Sequence, residues 1–279
     1  MSTALPQEMQ QHTYAIMDRV EDTHWWFVGR RAILETFLRS VVQNVTPPSR
    51  RLSGQSPADD VTAGRRPDSR QDAGVTIRIL DVGCGTGANL EMLSQFGLAE
   101  GVDVSDEALE FCRKKGLTVQ EGLAETLPYP DETFDITTAL DVVEHLDDDI
   151  VGLKEMHRVT KTGGYSLIFV PAFMWLWGVQ DDISHHRIRY TRKQIVERLE
   201  KAGFTVERAT YANFTFFVPV LGGRVFMRAT GIKPASENNI NISALNGVFG
   251  KVFSAERVWL KNHNFPFGVS IVVVARKNG

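Results

Sequence analysis

Cysteine is nearly missing: only Cys84 and Cys112 occur in 279 residues. Two thiols without metal-ligand or framework spacing exclude a disulfide-stapled scaffold and a cysteine-built zinc site, and they predict a reduced, cytoplasmic setting. The first eleven residues are polar and hold no apolar stretch of the secretory kind. Long apolar runs are missing as well, since 166–179 and 214–223 are too short or too interrupted to span a bilayer. Excess charge is also missing. With 31 Lys and Arg against 34 Asp and Glu, the net charge of −3 gives no overall pull toward nucleic acid. What remains, 43% hydrophobic and 23% charged residues, is the composition of a globular, non-spanning protein. The length suits one large α/β domain with additions, or two small ones.

The chain is organised around Ile79-Leu80-Asp81-Val82-Gly83-Cys84-Gly85-Thr86-Gly87. An apolar, β-branched run predicts a buried strand, three alternating glycines predict a turn, and Ala88–Leu93 opens a helical pattern. Glycine permits positive φ there and lets a ligand approach the backbone. Strand, glycine loop and helix together predict the opening of a doubly wound nucleotide-binding sheet, with its ligand at the strand's carboxyl end. Cys84 inside the loop reads as a small filler.

Two ligand classes fit such a loop. Gly83, Gly85 and Ala88 satisfy the dinucleotide pattern G-x-G-x-x-G/A, which would take an anionic pyrophosphate. S-adenosylmethionine instead brings a sulfonium and an ammonium group. Asp81, two residues before the first glycine, directs a carboxylate into the ligand end of the strand, which suits a cation and disfavours phosphate. The string resembles motif I of the class I S-adenosylmethionine-dependent methyltransferases. Asp103, at the end of a second strand with Val104 beside it, lies at the usual distance for a carboxylate that accepts ribose hydroxyls. In the family the loop 122–129 borders the adenine and often carries an acid. Here Leu123 and Ala124 stand there, so recognition falls to backbone groups or Glu125.

Phe134-Asp135-Ile136 resembles the family's fourth-strand signature and leads into Asp141, Glu144 and His145, whose i, i+3, i+4 spacing puts them on one face of a short helix. Position past strand four implies contact with the methionine moiety, for Asp141, and with the methyl acceptor. Three readings stay open: His145 as general base, a divalent-metal site comparable to the acid-x-x-Glu-His string of some ubiquinone-pathway and small-RNA methyltransferases, and a purely structural role. No metal site is assigned. After strand five, the loop 171–190 is dense in aromatic and ionisable groups. It reads as an acceptor-pocket wall, with His185 or His186 as alternative base, Arg187 or Arg189 for an anionic group, Trp175 and Trp177 for a ring or lipid surface and Tyr190 in the same wall, or else as a loop pinned by its aromatics.

His24-Trp25-Trp26-Phe27-Val28-Gly29-Arg30-Arg31 lies in a helical stretch over residues 7–46. Neighbouring tryptophans diverge by about 100°, so they serve different surfaces. One reading is plain docking of the helix; the other is a lid over cofactor or substrate, with Trp25, Trp26 and an arginine, Arg30 or Arg31, that meets a carboxylate. The pattern resembles a bacterial methyltransferase subgroup with an HWWF-x-GRR start.

The resemblance implies a Rossmann-like, doubly wound, seven-stranded α/β fold with an antiparallel last strand. Composition predicts a disordered linker at 47–74, where Pro47-Pro48-Ser49 and a mixture of Ser, Gly, Arg and Asp hold almost no large apolar residue. It separates a helical lid at 1–46 from a methyltransferase domain at 75–279 that carries a helical cap at 211–265. The expected activity is S-adenosylmethionine-dependent methyl transfer to a small-molecule or lipid- or glycan-linked acceptor. Phe216, Phe217, Val220 and Leu221 with Arg224 and Arg228 nearby also fit an interfacial segment, hence a cytoplasmic protein in peripheral contact with the inner membrane. The rivals are an NAD-dependent reductase, for which no hydride-transfer set is found, and a non-catalytic cofactor-binding subunit.

Overall fold

In the computed structural model, residues 11–45, 76–231 and 243–279 are described. Helices α1 (Gln11–Val20) and α2 (Trp25–Val45) come first, followed by β1 (Arg78–Val82), α3 (Ala88–Leu93), β2 (Leu98–Asp103), α4 (Asp106–Lys114) and β3 (Val119–Glu121). Next come β4 (Phe134–Leu140), α5 (Asp149–Val159), β5 (Thr160–Pro171), α6 (Val179–Ile183), α7 (Arg192–Lys201) and β6 (Thr205–Ala212). Two long helices, α8 (Phe217–Thr230) and α9 (Ser243–Leu260), precede β7 (Ser270–Arg276). The expected linker at 47–74 lies outside the described residues.

The seven strands run in the order β3-β2-β1-β4-β5-β7-β6. All neighbours are parallel except β7, which is antiparallel to both β5 and β6, with Ile168 opposite Val273 and Ala209 opposite the same valine. The chain steps outward from β1 to β3 and then, beyond β4, the other way. Right-handed crossovers therefore put the connecting helices on opposite faces, and β1 and β4 flank the switch point where ligands bind. Every residue of β4 is buried, as a central strand covered on both faces requires.

Helix α2 forms because Ile33, Phe37 and Val41, with Leu34 and Leu38 beside them, fall on one stripe, and all five are buried. Its two tryptophans diverge as their spacing demands. The Trp25 ring sits 4.5 Å from Phe216 and 5.9 Å from Phe253 of α9, while Trp26 faces Phe169 of β5 at 6.5 Å. Gly29 is where α9 comes closest: a Cβ there would lie 2.2 Å from the Phe253 ring.

The helix expected over 7–46 is broken at Glu21–His24, because Glu21 turns toward the glycine loop and the His24 Nδ1 accepts from the Trp26 amide at 3.3 Å. Lys161–Gly164 belongs to β5. Phe134 pairs with Thr160 and Ile136 with Tyr165, so the glycines absorb a bulge within the strand.

Candidate functional site

Gly83, Gly85 and Gly87 have φ of 69°, 52° and 93°. Added Cβ atoms would lie 2.4 Å from Val142 at Gly83 and 2.5 Å from Leu117 at Gly87, so these two glycines let the loop sit close to its neighbours. At Gly85 nothing lies within 4 Å, so the loop is open on that side. Cys84 is buried behind the loop and a Cβ on Gly101 would come 2.7 Å from its sulfur. Contact with Cys112 and burial both push the Cys84 thiol up, which suits a filler and not a nucleophile.

The loop's amides decide which ligand it suits. Those of Gly83 and Cys84 donate to the Val102 carbonyl at 2.7 and 3.1 Å, and Gly87 donates to Cys84 at 3.0 Å. Gly85 donates to Asp103 Oδ2 at 2.8 Å, while Ser105 donates to Oδ1 at 3.0 Å. Donors already committed inside the fold make a poor phosphate cradle. Asp81 offers the opposite chemistry. It is wholly buried; Oδ1 accepts from Thr138 at 2.5 Å and Oδ2 has no hydrogen-bond partner. Burial pushes its carboxyl up to about 7 despite the Thr138 hydrogen bond and the charge of Arg30. A buried carboxylate with a free oxygen beside an open glycine loop fits a cationic ligand such as S-adenosylmethionine. Burial also raises the Asp103 carboxyl, against the pull of the Ser105 and Gly85 amides.

The N-terminal helices grip this loop. Glu21 accepts from the Thr86 hydroxyl at 2.7 and 2.8 Å, and Lys115 reaches Glu21 at 3.4 Å and the Thr86 carbonyl at 3.1 Å. Arg30 is buried, pairs with Asp141 and donates to Asn89 Oδ1 at 3.1 Å; its Nε has no partner. Its guanidinium lies 4.8 Å from the Trp26 ring centre. Glu21, Thr86 and Asn89 carry no motif of their own, and sequence reasoning missed them.

Past β4, Asp141 has φ of 61° and a short 3-10 turn, Val143–His145, follows. Glu144 is fully buried with both carboxylate oxygens lacking hydrogen-bond partners, and burial together with nearby Asp141 pushes it well above the usual carboxylate range. The His145 ring lies 4.7 Å from that of His186. Burial, with His186 and His185 adding, holds His145 down to about 3, so it is neutral at physiological pH. His186 Nε2 faces Glu144 at 3.9 Å, and its Nδ1 is 2.8 Å from Asp181. Asp181 also accepts from Arg189 at 2.7 Å and the Gly178 amide at 2.6 Å. Burial alone would raise it, but His186, Arg189 and Arg224 hold it at about 2. One ligand atom each of Glu144, His145 and His186 lie within 4.8 Å of one another, a spacing able to share a proton or hold a divalent ion.

Other sequence candidates are placed differently. Tyr190, expected as pocket wall, is fully buried with its hydroxyl donating to Asp149 at 2.8 Å, which makes it part of the fold's interior. Arg187 is exposed, pairs with Asp147 at 2.5 Å, and donates through Nε to the His145 carbonyl at 2.9 Å. His185 has φ of 54°. Trp175 is half exposed and stacks on Phe173 at 5.1 Å. Val104, Leu123 and Ala124 are half-buried, with Leu123 bridged to Thr126.

Residues 80–168 match the family model described as a methyltransferase domain. A 2-methyl-6-phytyl-1,4-hydroquinone methyltransferase of Oryza sativa is 31% identical over 135 residues, 46% of this chain and 39% of that protein. A demethylmenaquinone methyltransferase of Chlorobaculum parvum is 38% identical over 98 residues, 34% of this chain and 41% of its own. The chain thus spans about two-fifths of these relatives' length. Among solved structures, a SAM-dependent methyltransferase of Thermotoga maritima superposes with a TM-score of 0.52 at 21% identity, over 96% of this chain and all of its own. A chain of a Haloferax volcanii complex between the Trm112 methyltransferase activator and a methyltransferase gives 0.55 at 16% identity, over 98% and 100%. At these identities the structures speak for the fold alone.

Proposed function

We propose that residues 80–168 form a class I S-adenosylmethionine-dependent methyltransferase domain and that the chain is a working enzyme that methylates a small molecule bearing a quinone-like ring or a lipid- or glycan-linked group. The observation that carries the reading is Asp81, whose buried, unpartnered Oδ2 sits beside a glycine loop in which the Gly83, Cys84, Gly85 and Gly87 amides are already spent.

Asp81, Gly83, Gly85, Gly87 and Asp103 would hold the cofactor, with Val104, Leu123 and Ala124 along the nucleoside and Asp141 and Arg30 toward the methionine end. Arg30 keeps one buried N–H free, which suits the methionine carboxylate. When bound, the cofactor supplies a sulfonium-activated methyl group with a neutral thioether as leaving group. The protein's share is then alignment and the exclusion of water. Helices α1 and α2 provide the second through the Glu21–Thr86 and Arg30–Asp141 contacts. Where the acceptor carries an O–H or N–H, His186 takes that proton at Nε2 while Asp181 holds Nδ1. The hydroquinone and demethylmenaquinone in the relatives' names motivate the ring, and the half-exposed Trp175 on the same loop offers it a surface.

A second reading assigns Glu144, His145 and His186 to a divalent ion, favoured by the two unpartnered oxygens of Glu144. The first reading is preferred because burial, which pushes the Glu144 carboxyl well above the usual carboxylate range, keeps a proton on it and meets the same need. Calorimetry tests the cofactor assignment: S-adenosylhomocysteine binds in the micromolar range and NAD does not, and the reverse would overturn it. A labelled methyl donor offered with a bacterial lipid and metabolite extract identifies the acceptor. A protein that binds the cofactor but labels nothing would be a regulatory subunit instead.

A further inference from the structure

Large apolar side chains are exposed in one region. Among the described residues, Leu98 and Val151 alone lie elsewhere; the rest, including Trp175, Val218, Phe226, Val248, Val258 and Trp259, sit on the loop after β5, on α8 and α9, and just beyond. Five ring contacts join the exposed aromatics into one ridge. Trp259 meets Phe265 at 6.1 Å, Phe265 meets Phe214 at 4.7 Å, and Phe214 meets Phe267 at 4.8 Å. Phe267 then meets Phe217 at 4.8 Å, and Phe217 meets Trp175 at 5.8 Å. Trp259, Phe267 and Trp175 are 50%, 36% and 47% exposed, far beyond what a folded interior explains.

On α8, α9 and the residues beside them, though not on the loop after β5 with its exposed Asp182, charge has one sign. Residues 213–231 and 243–269 hold Arg224, Arg228, Lys251, Arg257 and Lys261 against a single acid, Glu256, in a chain whose net charge is −3. Glu256 is buried and spent on the Asn213 and Thr215 amides at 2.9 and 2.8 Å. Arg224 is buried near Asp181, so the charges that these segments show to solvent are cations. Arg228 ties α8 to the loop after β5 through the carbonyls of Trp175 and Trp177 at 2.9 and 2.7 Å.

We infer that this ridge rests on an anionic lipid bilayer, with Trp175 and Trp259 at headgroup level and Arg228, Lys251 and Arg257 among the anionic headgroups. Tryptophan rings favour that boundary, and cations beside apolar side chains are what an interfacial surface needs. A second copy of the chain fits less well, since a two-fold contact would press like charges together. No described helix is long and apolar enough to cross the membrane, so the contact is peripheral. The loop that carries Trp175 also carries Asp181 and His186, so a lipid-borne acceptor would meet the site where the bilayer ends. The inference itself does not depend on what is methylated.

The full chain is sedimented with vesicles of phosphatidylglycerol and phosphatidylethanolamine, and with phosphatidylcholine alone. Binding to the anionic vesicles only, weakened by about 0.5 M salt through screening, is expected. K251E with R257E should cut partitioning by about fivefold per residue, from the loss of attraction to the surface, and V218D with V258D should abolish it. S-adenosylhomocysteine binding by each variant, unchanged, certifies the fold. Equal binding by parent and variants, or none by the parent, overturns the inference. So does a dimer in light scattering that the same substitutions dissociate.

Discussion

Arg30 of α2 and Asp141, the first residue after β4, form an ion pair across 111 positions of sequence, with side chains 7% and 21% exposed. Asn89 shares the guanidinium, and the rings of Trp26 and Phe169 lie at 4.8 and 5.9 Å from it. Removal of one partner leaves the other charge buried without compensation, at a cost of about 3–5 kcal/mol. R30M and D141N should each therefore lower the unfolding free energy by that order, and the two combined should recover most of it. Urea denaturation of the four proteins decides: strict additivity would mean that the two groups are not coupled.

Asp81 makes stability depend on pH. Its carboxyl stands at about 7 in the folded chain, against about 3.9 when unfolded. Between those values the folded state binds more protons, so this contribution is complete below about pH 4 and is lost as the pH rises toward 7. Asp181 acts in the opposite sense. Held at about 2, it adds stability above about pH 4 that is lost on acidification. D81N should flatten the fall between pH 4 and 7, a range worth at most about 4 kcal/mol. Because the ligand's α-ammonium group, which S-adenosylhomocysteine retains, favours the ionised form, the parent's affinity for S-adenosylhomocysteine should rise up to about pH 7 and that of D81N should not. Thermal melts and calorimetry across the range check both.

Local features were legible in the sequence and distant pairings were not. The strand, glycine loop and helix from Ile79 to Leu93 announce themselves because each signal lies within a few residues of the next. Asp103 is found by counting from the first glycine. The divergence of Trp25 and Trp26 follows from helical periodicity, yet their separate partners, Phe216 and Phe169, come from chain far away. Glu21 meets Thr86 across 65 positions and reads as an ordinary polar residue in between. Composition misled at Tyr190, since a loop rich in aromatics looks like a pocket wall whether its rings face inward or out. Gly163 and Gly164 likewise signal a turn or a bulge equally well, and only strand pairing decides.

Gly29 should tolerate no larger side chain. G29A would put a Cβ 2.2 Å from the Phe253 ring at the contact of α2 and α9. Overpacking of this kind costs about 1–3 kcal/mol. F253A removes the two ring atoms at 2.2 and 2.5 Å and leaves only the Phe253 Cβ at 2.7 Å. G29A should therefore cost less in the F253A background than in the parent, and an equal cost in thermal melts would show the clash is absorbed elsewhere.

Chelation separates the two readings of Glu144, His145 and His186. With a protonated Glu144 in place of an ion, turnover should survive dialysis against EDTA, and added magnesium or manganese should change the rate less than twofold. Loss of activity that a divalent ion restores would assign the cluster to metal.

His186 is the candidate base, and its surroundings make the test clean. Nδ1 is engaged by Asp181 at 2.8 Å, so Nε2 is the free nitrogen. His145, held near 3, is too weak a base to compete at neutral pH. Replacement of Asp181 would strip Arg189 and Arg224 of their buried partner and confuse catalysis with folding. H186Q leaves those ion pairs intact. It should lower kcat by about 10²–10⁴ for an acceptor that must lose a proton, while S-adenosylhomocysteine still binds as it does to the parent. H145Q should have the smaller effect on kcat. If H186Q retains kcat within threefold, the acceptor reacts without a base and the Asp181–His186 pair serves the loop's structure alone.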